Sequence, residues 1–347
     1  MWKHKVLTTI ISKSDIKSTI CSYPGHLLSY FDISSAEVKS AGFKSGDEGL
    51  INMFVNGIDV YIATAKIYLK DRWDTLSDKE KKAWRKKFKT TFLGILYGLG
   101  ANSLATRLNV SKEDAEEIIE GVYKAYPKLR EYVAQQQAYP LSHNGAVNTF
   151  FGDRLVVDEW KYLQKATTNS ERRNLEARIG RLGCNLPIQG GTSTAMSSGF
   201  FNDLRVAKEE GWDLTSFITV HDSNTCDFPA DKLWDIRKFY DHNFTDFCYD
   251  KTGIKLLFDI LIGATYQDAC EAKMIDDDTI ELTGTGRSHL MIVQKMNECP
   301  GLKYEIDMNI EDIVPKYVEN STDRLIKEQG CSFVMDKSKY TIKYHRL

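Results

Sequence analysis

No CxxC pair occurs among the seven cysteines, Cys21, Cys184, Cys226, Cys248, Cys270, Cys299 and Cys331, and their number is odd. That spacing argues against a zinc ribbon or a disulfide framework and for a reducing cytosol. Long apolar runs are missing too. No stretch reaches the roughly 18 apolar residues of a membrane span, and the apolar run in the N-terminal "MWKHKVLTTIISKS" is too short for a signal peptide. The expectation is a cytoplasmic protein with no membrane partner. Charge of one sign is scarce: 46 Lys and Arg face 48 Asp and Glu, for a net charge of -2. Nothing in the global balance draws in a nucleic acid, so any basic surface must be local. Internal repeats and low-complexity linkers are absent as well.

What is present is an ordinary globular composition, 42% hydrophobic and 27% charged, on 347 residues, enough for a sizeable core and two lobes. Residues 1 to 31 read as short strands, with "HLLSYF" feeding into Asp32. From Ser35 to about Lys70 the pattern is helical, broken at "SGDEG" and "NGID". Ser77 and Glu80 form a capping box that opens a long helix to Tyr97, stopped by Gly98 and Gly100. A second helix runs from Ser111 to Tyr126, its capping box weakened by the shorter Asp114. "HNGAVNTFFGDRLVV" reads as a hairpin. Helical character then returns over 158 to 182 and continues to Gly211. The strands "SFITV" and "NTCDFP" follow, then a helix over 230 to 250 and the strand "IKLLFDILIG". The best boundary is the acidic "IDDDT", beyond which a small α+β unit is expected.

Within "ITVHDSNTCDFP", apolar residues run straight into an acid, Asp222, where a strand should turn. One acid at a turn is ordinarily a cap or a solvated loop residue. Here a second acid has a matching setting, since Asp32 follows "LLSYF" much as Asp222 follows "FITVH". On two adjacent antiparallel strands the two carboxylates would share a pair of Mg²⁺ ions, and two metals stabilise the attacking and leaving oxygens of a phosphoryl-type displacement. Mg²⁺ asks for one or two carboxylates besides phosphates and water, so two aspartates suffice.

A phosphate-binding element is also present. Between residues 79 and 89 the helix "DKEKKAWRKKFKTTFLGILYGLG" carries Lys79, Lys81, Lys82, Arg85, Lys86, Lys87 and Lys89 against the single acid Glu80. Alone, such a run is a solvated face. Arg85, Lys89, Leu93 and Tyr97, however, recur every four residues along one side of the helix. Cations at one end and an aromatic beside a glycine at the other meet the two needs of nucleotide binding, a grip on triphosphate and a surface to stack a base.

With these segments the chain resembles the polymerase core of family A DNA polymerases. "DISSAEVKSAGFKSGDEGLINMFVNGIDVYIATA" resembles motif A, and "RKKFKTTFLGILYG" resembles motif B with its RxxxKxxxxxxxYG spacing. "RLGCNLPIQG" resembles the RxxxNxxxQ helix, "VHDS" resembles motif C, and "LLFDILIGATYQDA" the closing strand. The five occur in family order over roughly residues 20 to 270. The resemblance implies an α+β fold, a right-hand polymerase palm of antiparallel sheet with helical fingers. Residues 1–70 and 143–270 would form the palm and 71–142 the fingers, with 271–347 a C-terminal extension. Asp32 and Asp222 would hold two Mg²⁺ ions, with Mn²⁺ a substitute. Arg85 and Lys89 would bind the triphosphate, Lys89 also protonating the leaving pyrophosphate. Leu93 and Tyr97 would line the nucleotide site, and Glu37 would be the steric gate against a ribose 2′-OH. Arg181, Asn185, Gln189 and His221 would contact primer and template, which positions DNA without reading its sequence.

The departures from the family pattern are informative. Motif C ordinarily ends in Glu where this chain has Ser223, and Leu93 replaces Phe or Tyr. Both features resemble single-subunit RNA polymerases of phage type, whereas Glu37 and the Asn185/Gln189 pattern speak for DNA synthesis. Family members carry a thumb and often an exonuclease ahead of motif A, where only 31 residues stand here. The expectation is the catalytic part of a split, phage-type polymerase acting on primer–template DNA and dNTPs, with a separate polypeptide supplying the thumb. An RNA polymerase-like enzyme and a degenerate nucleic-acid-binding subunit are the alternatives.

Overall fold

Alternation in "HLLSYFDI" produces β1 (His26–Ile33), which buries Leu27, Ser29, Phe31 and Ile33 on one side. The structure is a computed structural model, described over residues 19–33, 35–220, 222–309 and 338–347, without the side chains of Phe217 and Val220. His221, and the strands expected within residues 1 to 18, lie outside the described residues. After β1 come α1 (Ala36–Ser45), α2 (Glu48–Val55) and α3 (Val60–Leu69), broken at the two predicted places. Asp47 and Asp59 cap α2 and α3, each accepting first-turn amides. The box of Ser77 and Glu80 starts α4 (Asp78–Leu96). It is followed by α5 (Ala101–Leu108), α6 (Lys112–Ala125) and α7 (Pro127–Ser142). The hairpin is β2 (Ala146–Asn148) and β3 (Arg154–Val156), succeeded by α8 (Glu159–Leu163) and α9 (Asn169–Glu209). β4 (Thr215–Val220) and β5 (Ser223–Pro229) come next. Residues 230 to 252 form a 3₁₀ turn, α10 (Ile236–Tyr240), a π turn over Asp241–Asp246 and α11 (Phe247–Thr252), not the single helix predicted. Buried Trp234, Phe239, Tyr240 and Phe244 set that path rather than a regular repeat. The chain closes with β6 (Phe258–Gly263), β7 (Ala269–Met274), β8 (Thr279–Thr285), α12 (Gly286–Asn297), β9 (Tyr304–Ile306) and β10 (Lys339–Arg346).

Two compact units result. The sheet unit comprises Met1–Ser34, Met196–Phe247 and Leu257–Leu347. Its eight strands run β4-β5-β1-β6-β7-β8-β10-β9, antiparallel at every named pairing. Behind β1, the Phe31 ring meets those of Phe258, Phe244 and Tyr240 at 4.4, 4.7 and 5.4 Å. The acidic "IDDDT" is the turn between β7 and β8, so the residues beyond it continue the same sheet. Trp234 fastens them, its Nε1 donating to the Tyr344 carbonyl at 2.9 Å. Nearby, Arg346 donates to Asp235 at 2.7 Å.

The helical unit comprises Ser35–Ala195 and Cys248–Leu256. One core joins Leu50 and Tyr61 of α2 and α3 to Phe88, Phe92 and Leu96 of α4, and these to Leu104, Ile118, Leu129 and Ile188. This shared core is why residues 35 to 70 and 143 to 195, which the motifs alone group with the palm, cluster with the helices.

Candidate active site

In the sheet unit, Asp32 stands near the end of β1, directly opposite Ser223 on β5 and Asp259 on β6. Residues paired this way share a face of the sheet, so the three side chains form one row across three strands. Asp222 is the turn residue before β5, and its carbonyl accepts the Ile33 amide at 2.9 Å, tying the turn to the end of β1. Tyr30, two residues before Asp32 on the same face, senses both acids. Burial pushes its phenol pKa up and the charges of Asp32 and Asp222 push it further, while the Ser223 and Tyr266 hydroxyls pull it down. Tyr266 meets the Tyr30 ring edge-on at 5.5 Å, and its own phenol is pushed up to about 12, chiefly by burial. The structure thus gathers Asp32, Asp222 and Ser223 around Tyr30.

In the helical unit, α4 separates its faces by chemistry. Phe88, Phe92, Ile95 and Leu96 are buried, Arg85 and Lys89 are exposed, and Leu93 and Tyr97 are half-buried. Arg85 and Lys89 both lie over the ring of Tyr61, at 5.6 and 5.9 Å from its centroid. Asp59 serves two elements at once. Its Oδ1 caps α3 by accepting the Tyr61 and Ile62 amides at 2.9 and 3.0 Å, and its Oδ2 accepts from Arg85 Nε at 2.5 Å. Glu37, on the first turn of α1, raises the phenol pKa values of both Tyr61 and Tyr97 by its charge, a smaller effect than burial in each case. Gln189 is near enough to Tyr97 to lower it. Tyr97 ends α4 at φ -90°, and Gly98 follows at φ +72°. A Cβ on Gly98 would sit 2.1 Å from the Gln137 amide nitrogen, so the close approach there is made by α7.

Arg181 and Gln189 are exposed and Asn185 half-buried, four residues apart along α9. The other side of α9 lies against α7. A Cβ on Gly183 would fall 2.2 Å from the Gln136 carbonyl oxygen, and Cys184 Sγ donates to the Val133 carbonyl at 3.5 Å. Pro187 sits inside the helix, and its carbonyl accepts the Phe150 amide at 3.3 Å. These contacts fix the height and rotation of α9, and with them the row of polar side chains.

The model for DNA polymerase family A matches residues 8–268. The chain belongs to this family. A DNA polymerase I from Chloroflexus aurantiacus is 29% identical over 219 residues, covering 63% of this chain and 22% of that protein. A DNA polymerase from Mycobacterium phage D29 is 34% identical over 135 residues, covering 39% of this chain and 21% of the relative. Thermostable DNA polymerase I from Thermus aquaticus is 27% identical over 220 residues, covering 62% of this chain and 24% of the relative. The chain therefore spans about a quarter of the length of these relatives. Among solved structures, the POL domain of Pol1 from M. smegmatis in complex with DNA primer-template and dNTP superposes with a TM-score of 0.61 at 22% identity, over 71% of this chain and 41% of that one. The fold is that of family A, whose palm is an antiparallel sheet of this kind.

For a family A metal site the donors on the palm are all hard oxygens, from Asp32, Asp222, Ser223 and Asp259, a set that suits Mg²⁺ or Mn²⁺ and not a soft metal. Among the described residues no three His, Cys, Asp or Glu side chains close on one metal position, so the fit rests on two carboxylates with substrate oxygens completing the shell. Also among the described residues, no helix is long and apolar enough to cross a membrane. Motif reasoning overlooked Asp259, Tyr30, Asp59 and Tyr61. A lone acid inside the apolar "LLFDILIG" was the available signal for Asp259, and the cap position after "NG" was the signal for Asp59.

Proposed function

We propose that this chain catalyses template-directed DNA synthesis, adding deoxynucleotides to a primer 3′ end by nucleotidyl transfer. The observation that carries the reading is the pairing of Asp32 with Ser223 beside Asp222 at one end of the palm sheet. Asp32 and Asp222 hold the metals in this reading. Mg²⁺ bound there supplies charge stabilisation for the attacking and leaving oxygens. Arg85 leaves Asp59 to grip the triphosphate, and Lys89 donates its proton to the departing pyrophosphate oxygen. Tyr97 and Leu93 form the surface under the incoming base pair, and Glu37 fills the volume a 2′-OH would need. Arg181, Asn185, Gln189 and His221 steady primer and template. Primer–template DNA and dNTPs are the partners, as the M. smegmatis complex suggests by analogy.

Ser223 favours a second reading, ribonucleotide polymerisation, because the palm row lacks the carboxylate family A carries there. Single-nucleotide primer extension with dNTPs and NTPs separates the two. Asp32→Asn and Asp222→Asn are each expected to abolish addition while folding and DNA binding persist, and near-normal turnover by Asp222→Asn would overturn the assignment. Glu37→Ala is expected to raise NTP relative to dNTP incorporation. A parent enzyme that already prefers NTPs would establish the second reading.

A further inference from the structure

Tyr61 is 1% exposed, yet its hydroxyl is buried without a hydrogen bond. Burial raises its pKa most, the Ser35 hydroxyl lowers it from outside bonding geometry, and Glu37, Asp59 and Arg85 are its charged neighbours. The hydroxyl of Tyr97 is in the same condition: buried, unbonded and within the field of the same Glu37. A buried hydroxyl left unsatisfied costs free energy, so each of the two gains from a new acceptor. The Tyr61 ring, meanwhile, is the floor beneath Arg85 and Lys89. Its backbone amide is held by Asp59, whose other oxygen holds Arg85. One side chain therefore lies under Arg85 and Lys89 with its ring and within the field of Glu37 with its hydroxyl.

We infer that Tyr61 is a positioning residue that couples the triphosphate end of the nucleotide site to the sugar gate, an inference that rests on the roles proposed above for Arg85, Lys89 and Glu37. Without nucleotide, the ring and Asp59 keep Arg85 parked. When a triphosphate draws the two cations forward, the Tyr61 ring shifts with them so that its phenol donates to Glu37, and the carboxylate is held across the 2′ position. Discrimination against ribonucleotides then depends on a residue that need not touch the sugar.

The test is isothermal titration of the full chain, loaded on a dideoxy-terminated primer–template with a templating dC, using inorganic tripolyphosphate, dGTP and GTP, each with Mg²⁺. Tyr61→Leu removes the aromatic floor and is expected to weaken tripolyphosphate about tenfold, the scale of a cation–π contact. Tyr61→Phe keeps the floor, so tripolyphosphate binding is expected to stay at the parent value. It removes the hydroxyl, so the preference for dGTP over GTP is expected to shrink about fivefold, the scale of one hydrogen bond. Arg85→Ala and Glu37→Ala are the controls. If they move the phosphate and sugar readouts but both Tyr61 variants behave as the parent, the coupling is wrong and the site reading stands. If the controls change nothing either, the site reading has failed and the coupling falls with it. Tyr61→Phe, which alters one buried atom, keeps the test valid should Tyr61→Leu fold poorly.

Discussion

Asp203 on α9 is 1% exposed, and neither of its carboxylate oxygens has a hydrogen-bond partner. Burial alone holds its pKa well above the ordinary carboxylate value. It lies within the field of Cys226, whose thiol burial pushes up to about 12, and of Tyr240, whose hydroxyl pairs with that of Ser29 at 2.8 Å. A carboxyl with a raised folded pKa binds its proton more tightly in the folded state. Its contribution to stability is full below the unfolded value of about 3.9 and is lost as pH rises through the folded pKa. Asp203→Asn should therefore gain melting temperature over the parent by an amount that is smallest near that lower limit and grows with pH. Parallel melting curves across the pH range would show that Asp203 does not titrate as described. Nothing in "FFNDLRVAKEE" distinguishes this acid from a solvated one, because its burial is decided by strands and helices remote in sequence. Asp32 and Asp222 were legible for the opposite reason, since each ends its own apolar run.

At the scale of elements, the local signals that were readable are those closed within a few residues. The two capping boxes are both present, and the return bond to the N-cap amide is 2.9 Å for Glu80 against 3.4 Å for Asp114, as the shorter side chain requires. The hairpin formed, although Asn144-Gly145 terminates α7 in left-handed conformation while the strand reversal lies around Gly152. α5 and α7 have no capping box; α7 starts at Pro127 but carries "QQQAYP" with Pro140 inside it, and its helicity is maintained by tertiary packing of Leu129 and Val133. α7 also supplies the wall against which α9 closes at Gly183. Gly183→Ala should force these helices apart and cost about 1–3 kcal/mol in urea unfolding, the range for overpacking. Its expected companion is weaker primer–template binding, because Asn185 and Gln189 move with the helix. Unchanged stability would mean that α9 is free to shift at no cost.

For the whole molecule, the palm sheet draws on both the earliest and the latest described strands: β1 pairs with β5 and β6, and β10 lies between β8 and β9. Ile342 on β10 is fully buried. Ile342→Asp would bury an unpaired charge and should cost more than about 4 kcal/mol. The sheet unit should melt early while the helical unit, with its own core, keeps its transition; a single unshifted transition would contradict this. Such a strand order also sets a timetable on the ribosome. The helical unit is nearly all encoded by Ser35–Ala195, so it can fold while translation proceeds. Of the described strands β1 emerges first, and it must wait roughly 190 residues for β5, some ten to forty seconds at typical elongation rates. Through that interval β1 is without the two strands that flank it in the sheet, so the nascent chain carries an apolar strand that a chaperone can hold.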